Sequence, residues 1–155
     1  MELSALSRDD QSSLSGLEQQ DLRVPGPGAP REVRILGGLP PFKQECFILH
    51  DEPDAPPFFR LDAREGELAF HVLNPFDLVP DYAPEISPED ERALDLKDGE
   101  QPEVWVIVNL NRGASHATVN LAAPILMNVR NGVARQIIPV NAHVWPVRKR
   151  LFEEE

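Results

Sequence analysis

"ATVNLAAPILMNVRNGVARQII", Ala117 to Ile138, reads as strand with a proline set in its middle. Val119 and Leu121 alternate with other residues before Pro124, and Ile125, Met127 and Val129 do so after it, which is the period-2 pattern of a half-buried strand. Proline has no N–H to give to a ladder, so Pro124 belongs at an edge, a bulge or a bend where one long strand changes direction. Asn131-Gly132 then predicts a two-residue type I′ hairpin that returns the chain through "VARQIIPV".

Working outward, the same grammar recurs. "REVRIL", "CFILH", "FFRLD", "ELAFHVL" and "EVWVIVNL" are short apolar runs, separated by "GGLPPF" at Gly37 to Phe42, by "REG" at Arg64 to Gly66 and by longer polar stretches. One helix is expected near residues 88–96. In "SPEDERALDL", Ser87 suits the N-cap, Pro88 the first helical position, and the acids the positive end of the helix dipole. Seven or more short strands with strand-breaking bends predict a mostly β chain: a small barrel-like antiparallel sheet with one short helix.

Residues 1–30 are rich in Ser, Gln, Asp, Gly and Pro and close on "VPGPGAP", so they are expected to form a flexible tail and linker, with a single domain over 31–155. At 155 residues the chain can bury one core and not two. The N-terminus lacks the continuous apolar stretch of a signal peptide or membrane anchor. Cys46 is the sole cysteine, which leaves no internal disulfide or thiolate cluster and makes the cytoplasm the expected compartment.

The net charge of −11 disfavours non-specific attachment to nucleic acid or anionic lipid, and leaves a basic protein as a suitable partner. The charge is also segregated. From Asp51 to Glu103, sixteen acidic residues stand against four basic ones, whereas Val104 to Phe152 carries six basic residues and no acid. Two faces or ends of opposite sign follow.

Chemistry-bearing motifs are absent. His50, His71, His116 and His143 are not at metal-ligand spacing, and no Ser, Cys or Thr is set in a nucleophile motif. Cys46 lies in "ECFIL" and reads as a small core residue, and His71 in "AFHVL" as a strand residue on the polar face. Gly37-Gly38 lacks both the third glycine of a dinucleotide loop and the lysine of a phosphate loop. No cofactor, metal or catalytic residue is therefore expected. Nor is direct nucleic-acid binding, because the arginine-bearing hairpin has no aromatic stacking platform.

Four segments carry a resemblance. "GGLPPF", "PPFFRLD" at Pro56 to Asp62, "LAFHVLNPFDLVPDY" at Leu68 to Tyr82 and "TVNLAAPILMNVRNGVARQII" at Thr118 to Ile138 resemble, in this order and at similar spacing, the flagellar assembly factor FliW family. The resemblance covers about residues 31–152. It implies a small non-catalytic β-barrel that acts in the cytoplasm, binds newly made flagellin and, when free of it, antagonises the translational regulator CsrA. It also implies that Asn120 and Pro124 match the family's T-x-N-L-x-A-P-I segment. The family's opening strand, with a Phe-Gly-Glu-like turn, has no counterpart in "DLRVPGPGAPREVRIL". A divergent relative whose barrel serves another cytoplasmic protein is the alternative, since a fold does not fix its ligand. From charge and resemblance together, Phe76 and Tyr82 are expected as apolar anchors and Asp77 and Asp81 as steering carboxylates of a partner-binding patch, with Asn120 and Pro124 as further candidates.

Overall fold

Alternating side chains fill one barrel from seven strands. The computed structural model describes residues 30–52 and 57–152; the tail and linker expected over 1–30 lie, but for Pro30, outside the described residues. The strands are β1 (Arg31–Ile35), β2 (Cys46–Asp51), β3 (Phe59–Ala63), β4 (Ala69–Leu73), β5 (Glu103–Asn109), β6 (Thr118–Val119), β7 (Ile125–Asn128), β8 (Val133–Gln136) and β9 (Lys149–Arg150). Strands β1 to β5 follow one another as antiparallel neighbours, with a long connection between β4 and β5; β8 lies beside β1, β7 beside β8, and β7 also pairs with β5, which closes the ring. Every pair is antiparallel except β1–β8, where Arg34 lies opposite Val133 and Ile35 opposite Ala134 in parallel. The barrel is therefore mixed, where the sequence led us to expect an antiparallel one.

The interior is the period-2 set read across the ring. Val33 and Ile35, Phe47 and Leu49, Leu61 and Ala63, Val72, Trp105, Ile125 and Met127, and Ala134 form one buried cluster. A second cluster covers the outer face of β5 and β7, where Val104, Val106, Val108 and Leu126 pack with Leu73, Tyr82, Leu94, Val119, Leu121 and Ile137. Strands β5 and β7 are thus buried on both faces, which is why "VWVIV" and "ILM" read as continuous apolar runs.

The helix α1 (Pro88–Ala93) forms as its termini dictate. Ser87 Oγ accepts from Asp90 N at 3.1 Å, Pro88 opens the helix and Glu89, Asp90 and Glu91 fill the first turn. It ends earlier than the expected 96 because Asp95 takes φ +56°, and Asp95 N and Leu96 N bond back to Arg92 O and Glu91 O, the paired bonds of a Schellman cap. Asn128, 2 % exposed, ties that cap to the barrel: its Nδ2 donates to Leu94 O at 2.8 Å and Asp95 O at 3.2 Å, and its Oδ1 accepts from Arg130 N at 2.9 Å.

The break at Pro124 has a geometric role. Between the Val108–Val119 pair and the Trp105–Ile125 pair, β5 advances three residues while its partner advances six. The three surplus residues lie within 120–124, a bulge that lets one edge of β5 hold β7 in the barrel wall and β6 beyond it. The polar groups of the bend are satisfied: Asn120 Oδ1 accepts from Ala122 N, Leu121 N donates to Pro146 O, Gln136 Nε2 donates to Ala123 O, and Pro124 O accepts from Ile137 N.

Two expectations are corrected. Asn131-Gly132 is not a type I′ turn: the last ladder pair is Asn128–Val133, the loop has four residues, and Gly132 but not Asn131 has positive φ. The Asn131 side chain is instead engaged, its Oδ1 accepting from Val133 N and its Nδ2 reaching Leu94 O. Cys46 is exposed at the start of β2 rather than in the core, because Phe47 and Leu49 take the inward positions.

Candidate partner-binding surface

The "NPFDLVPDY" segment leaves β4 and packs Leu78, Val79 and Tyr82 with the second cluster. Asn74 Oδ1 accepts from Phe76 N at 2.8 Å, capping a 3-10 turn over Pro75–Asp77, and Leu78 N and Val79 N both return to Pro75 O. This local bonding holds Phe76 at 39 % exposure, beside exposed Asp77 and Asp81. Tyr82 is placed differently. It is 4 % exposed, its hydroxyl donates to Leu121 O, and its ring meets Trp145 edge-on with centroids 4.8 Å apart. Burial pushes its pKa up, so the hydroxyl stays protonated and donates.

The six candidate residues therefore separate into two groups. Phe76, Asp77 and Asp81 are exposed, as is Glu85, and Phe76 lies 6.1 Å, ring centroid to centroid, from Tyr82. Tyr82, Asn120 and Pro124 belong to the bend beneath: Tyr82 and Pro124 are buried, and Asn120 is half-buried with its carboxamide oxygen on Ala122 N.

A small cavity of about 170 Å³ opens next to this segment. Phe58, Leu73, Leu78, Leu151 and Phe152 give it apolar walls, and Asn74 and Asp77 stand at its polar side. Its walls come from three separate stretches of chain, which is why no local motif announced it. Past β8, Ile138, Val140, Val144 and Val147 are also exposed.

The segregated charges partly neutralise one another across the fold. Arg130 pairs with Glu100 at 2.8 Å and Arg135 with Asp90 at 3.1 Å, so two of the six basic residues of the C-terminal region are spent on the acidic one. Two histidine–carboxylate pairs, also missed by sequence reasoning, lie on the barrel's outer face. His50 meets Asp62, which also binds Arg60, and His71 meets Glu52; His50, Arg60 and His71 lie directly opposite one another across β2, β3 and β4. Burial raises the Asp62 pKa, but the hydrogen bonds from His50 and Arg60 outweigh it and hold the carboxyl below its ordinary value. Among the described residues no group of three or more His, Cys, Asp or Glu is placed to hold a metal ion, and no helix is long and apolar enough to cross a membrane.

Comparison with known proteins adds a family. Residues 30–151 match the model of the family described as FliW protein. The chain is 31 % identical to the flagellar assembly factor FliW of Desulfitobacterium hafniense strain DSM 10664 / DCB-2 over 79 % of its own length and 81 % of the relative's. It is 33 % identical to that of Alkaliphilus metalliredigens over 79 % and 76 %. A crystal structure of the flagellar assembly factor FliW superposes with a TM-score of 0.70 at 27 % identity, over 80 % of this chain and 87 % of that one.

Proposed function

The chain belongs to the FliW family of flagellar assembly factors, and from that premise we propose that it is a non-catalytic cytoplasmic binding protein that takes flagellin and CsrA as alternative partners. Free of flagellin, it antagonises CsrA and so couples flagellin synthesis to assembly. The observation that carries the CsrA contact is the exposed Phe76 within a capped turn, with the exposed carboxylates of Asp77 in that turn and Asp81 after it, and an apolar cavity that Asp77 also lines. Apolar anchors supply buried area and carboxylates steer a basic partner. CsrA, being an RNA-binding protein, is such a partner.

The test is a titration with the host's own CsrA and flagellin. Replacing Asp77 and Asp81 together by lysine slows association with CsrA and makes the residual binding less sensitive to salt, while the circular dichroism spectrum is unchanged. Flagellin competes with CsrA for the protein. Unchanged CsrA affinity in the double variant rejects the patch, and simultaneous, uncoupled binding of both partners rejects the alternation between them.

A further inference from the structure

Arg112, Arg148 and Arg150 of the basic C-terminal region line one groove. Asn109 of β5 lies opposite Thr118 of β6, and Thr118 opposite Arg150 of β9, so the three side chains form a polar row across three strands. The adjacent row is Val108, Val119 and Lys149, in which both valines are buried, which fixes the Asn109–Thr118–Arg150 row on the opposite face of this sheet extension. Arg148, two residues before Arg150, and Arg112 and His116 from the β5–β6 connection complete a concavity of about 550 Å³. No carboxylate lines it, and among the described residues none pairs with Arg112 or Arg148. Asn109 Oδ1 is held by Asn111 N at 2.8 Å, which leaves its amide N–H groups facing outward as donors.

We propose that this groove is a second docking site, and that its occupant is an extended acidic segment of a partner protein. Guanidinium forks match carboxylates in geometry as well as charge. Arg112 and Arg148 reach the groove from separate stretches of chain, so a segment that carries several carboxylates meets both. A single small anion satisfies one such fork, not the set. RNA is the less suitable polyanion: the groove lining has no Phe, Tyr or Trp to serve as a stacking platform for successive bases. A chain of net charge −11 also repels a ligand charged at every nucleotide more than a short acidic stretch of an otherwise neutral protein. The site is opposite in sign to the Phe76, Asp77, Asp81 surface, and it does not depend on the partners assigned to that surface.

The test is fluorescence anisotropy on the full chain with three labelled probes: a ten-residue peptide alternating Glu and Ser, its Lys–Ser counterpart, and a ten-nucleotide oligouridine. The Glu–Ser peptide binds in low salt, and binding weakens as salt rises. Arg112→Gln with Arg148→Gln lowers its affinity about tenfold, whereas Arg34→Gln, an exposed arginine on β1, leaves it unchanged. Thermal unfolding of both variants matches the parent, since all three side chains are surface groups. The proposal is overturned if the Glu–Ser peptide fails to bind in low salt, if the Lys–Ser peptide or the oligouridine binds more tightly, or if the paired glutamine variant binds the acidic peptide as the parent does.

Discussion

Removing the Asn128 carboxamide tests how the barrel holds its helix. Asn128→Ala deletes two bonds to the carbonyls of Leu94 and Asp95 and one from Arg130 N. Two of these groups have recourse: Arg130 N sits in an exposed turn, and Asp95 O keeps its bond from Arg130 Nη2 at 2.6 Å. Leu94 O does not, since its other donor, Asn131 Nδ2, stands at 3.4 Å and Leu94 is wholly buried. A net loss of about 1 kcal/mol for each of two bonds, with about 1–2 kcal/mol for the stranded carbonyl, gives a destabilisation of roughly 3–4 kcal/mol. For a domain of this size each kcal/mol moves Tm by about 3–5 °C, so thermal unfolding followed by circular dichroism shifts down by roughly 10–15 °C. Asn128→Asp sharpens the test. At pH 8 its carboxylate still accepts from Arg130 N but faces two carbonyl oxygens, so this variant is less stable than Asn128→Ala. At pH 4 a buried, protonated carboxyl donates to Leu94 O and recovers part of the loss. A Tm for Asn128→Ala within about 3 °C of the parent, or the same ranking of the two variants at both pH values, would refute the reasoning.

Three further outcomes follow from the geometry. Gly132→Val forces a β-branched residue to φ +72° with its Cβ 3.2 Å from Glu32 O, and costs on the order of 2 kcal/mol in urea unfolding; an unchanged midpoint means that the β1–β8 seam has slack. Asp95→Gly relieves the left-handed strain at the helix cap and raises stability by about 0.5–1 kcal/mol, with the Arg130 bond to the backbone carbonyl retained; a lower Tm would show that the Asp95 carboxylate matters more than its backbone. The Asp62 carboxyl has a lowered folded-state pKa, so its contribution is present above the unfolded value, near 3.9, and is lost as pH falls through the folded one. Asp62→Asn therefore flattens the acid limb of the stability–pH curve, and an acid limb identical to the parent's would assign it to other carboxylates.

Much of the barrel was legible because its strands obey period 2. Val33 and Ile35, or Phe47 and Leu49, declare an inward face with no knowledge of their neighbours. Pro124 declared the bend, and Ser87 with Pro88 the helix start, because each acts through its own backbone. What was hidden depends on distant partners. Nothing near Tyr82 indicates that its hydroxyl is spent on Leu121 O, thirty-nine residues away. The Asn-Gly dipeptide misled because the Asn131 side chain is drawn to Leu94 O and Val133 N, and Asn128 rather than Asn131 closes the ladder. The parallel β1–β8 pair, the apolar cavity beside Asp77 and the groove around Arg148 each need segments far apart in sequence, brought together only by register.

The parallel seam also sets a timetable. Ile35 is paired with Ala134, ninety-nine positions later, and no earlier strand occupies that side of β1 among the described residues. During synthesis, β1 to β4 emerge as an open antiparallel sheet with the outer edge of β1 and the inner apolar face of all four strands uncovered. At about 5–20 residues per second the β1 edge waits some 5–20 s for its partner, and closure comes only when β7 and β8 leave the ribosome almost together. The nascent chain therefore spends most of its translation as an unfinished sheet, and interactions between neighbouring nascent copies on one messenger compete directly with completion of the barrel.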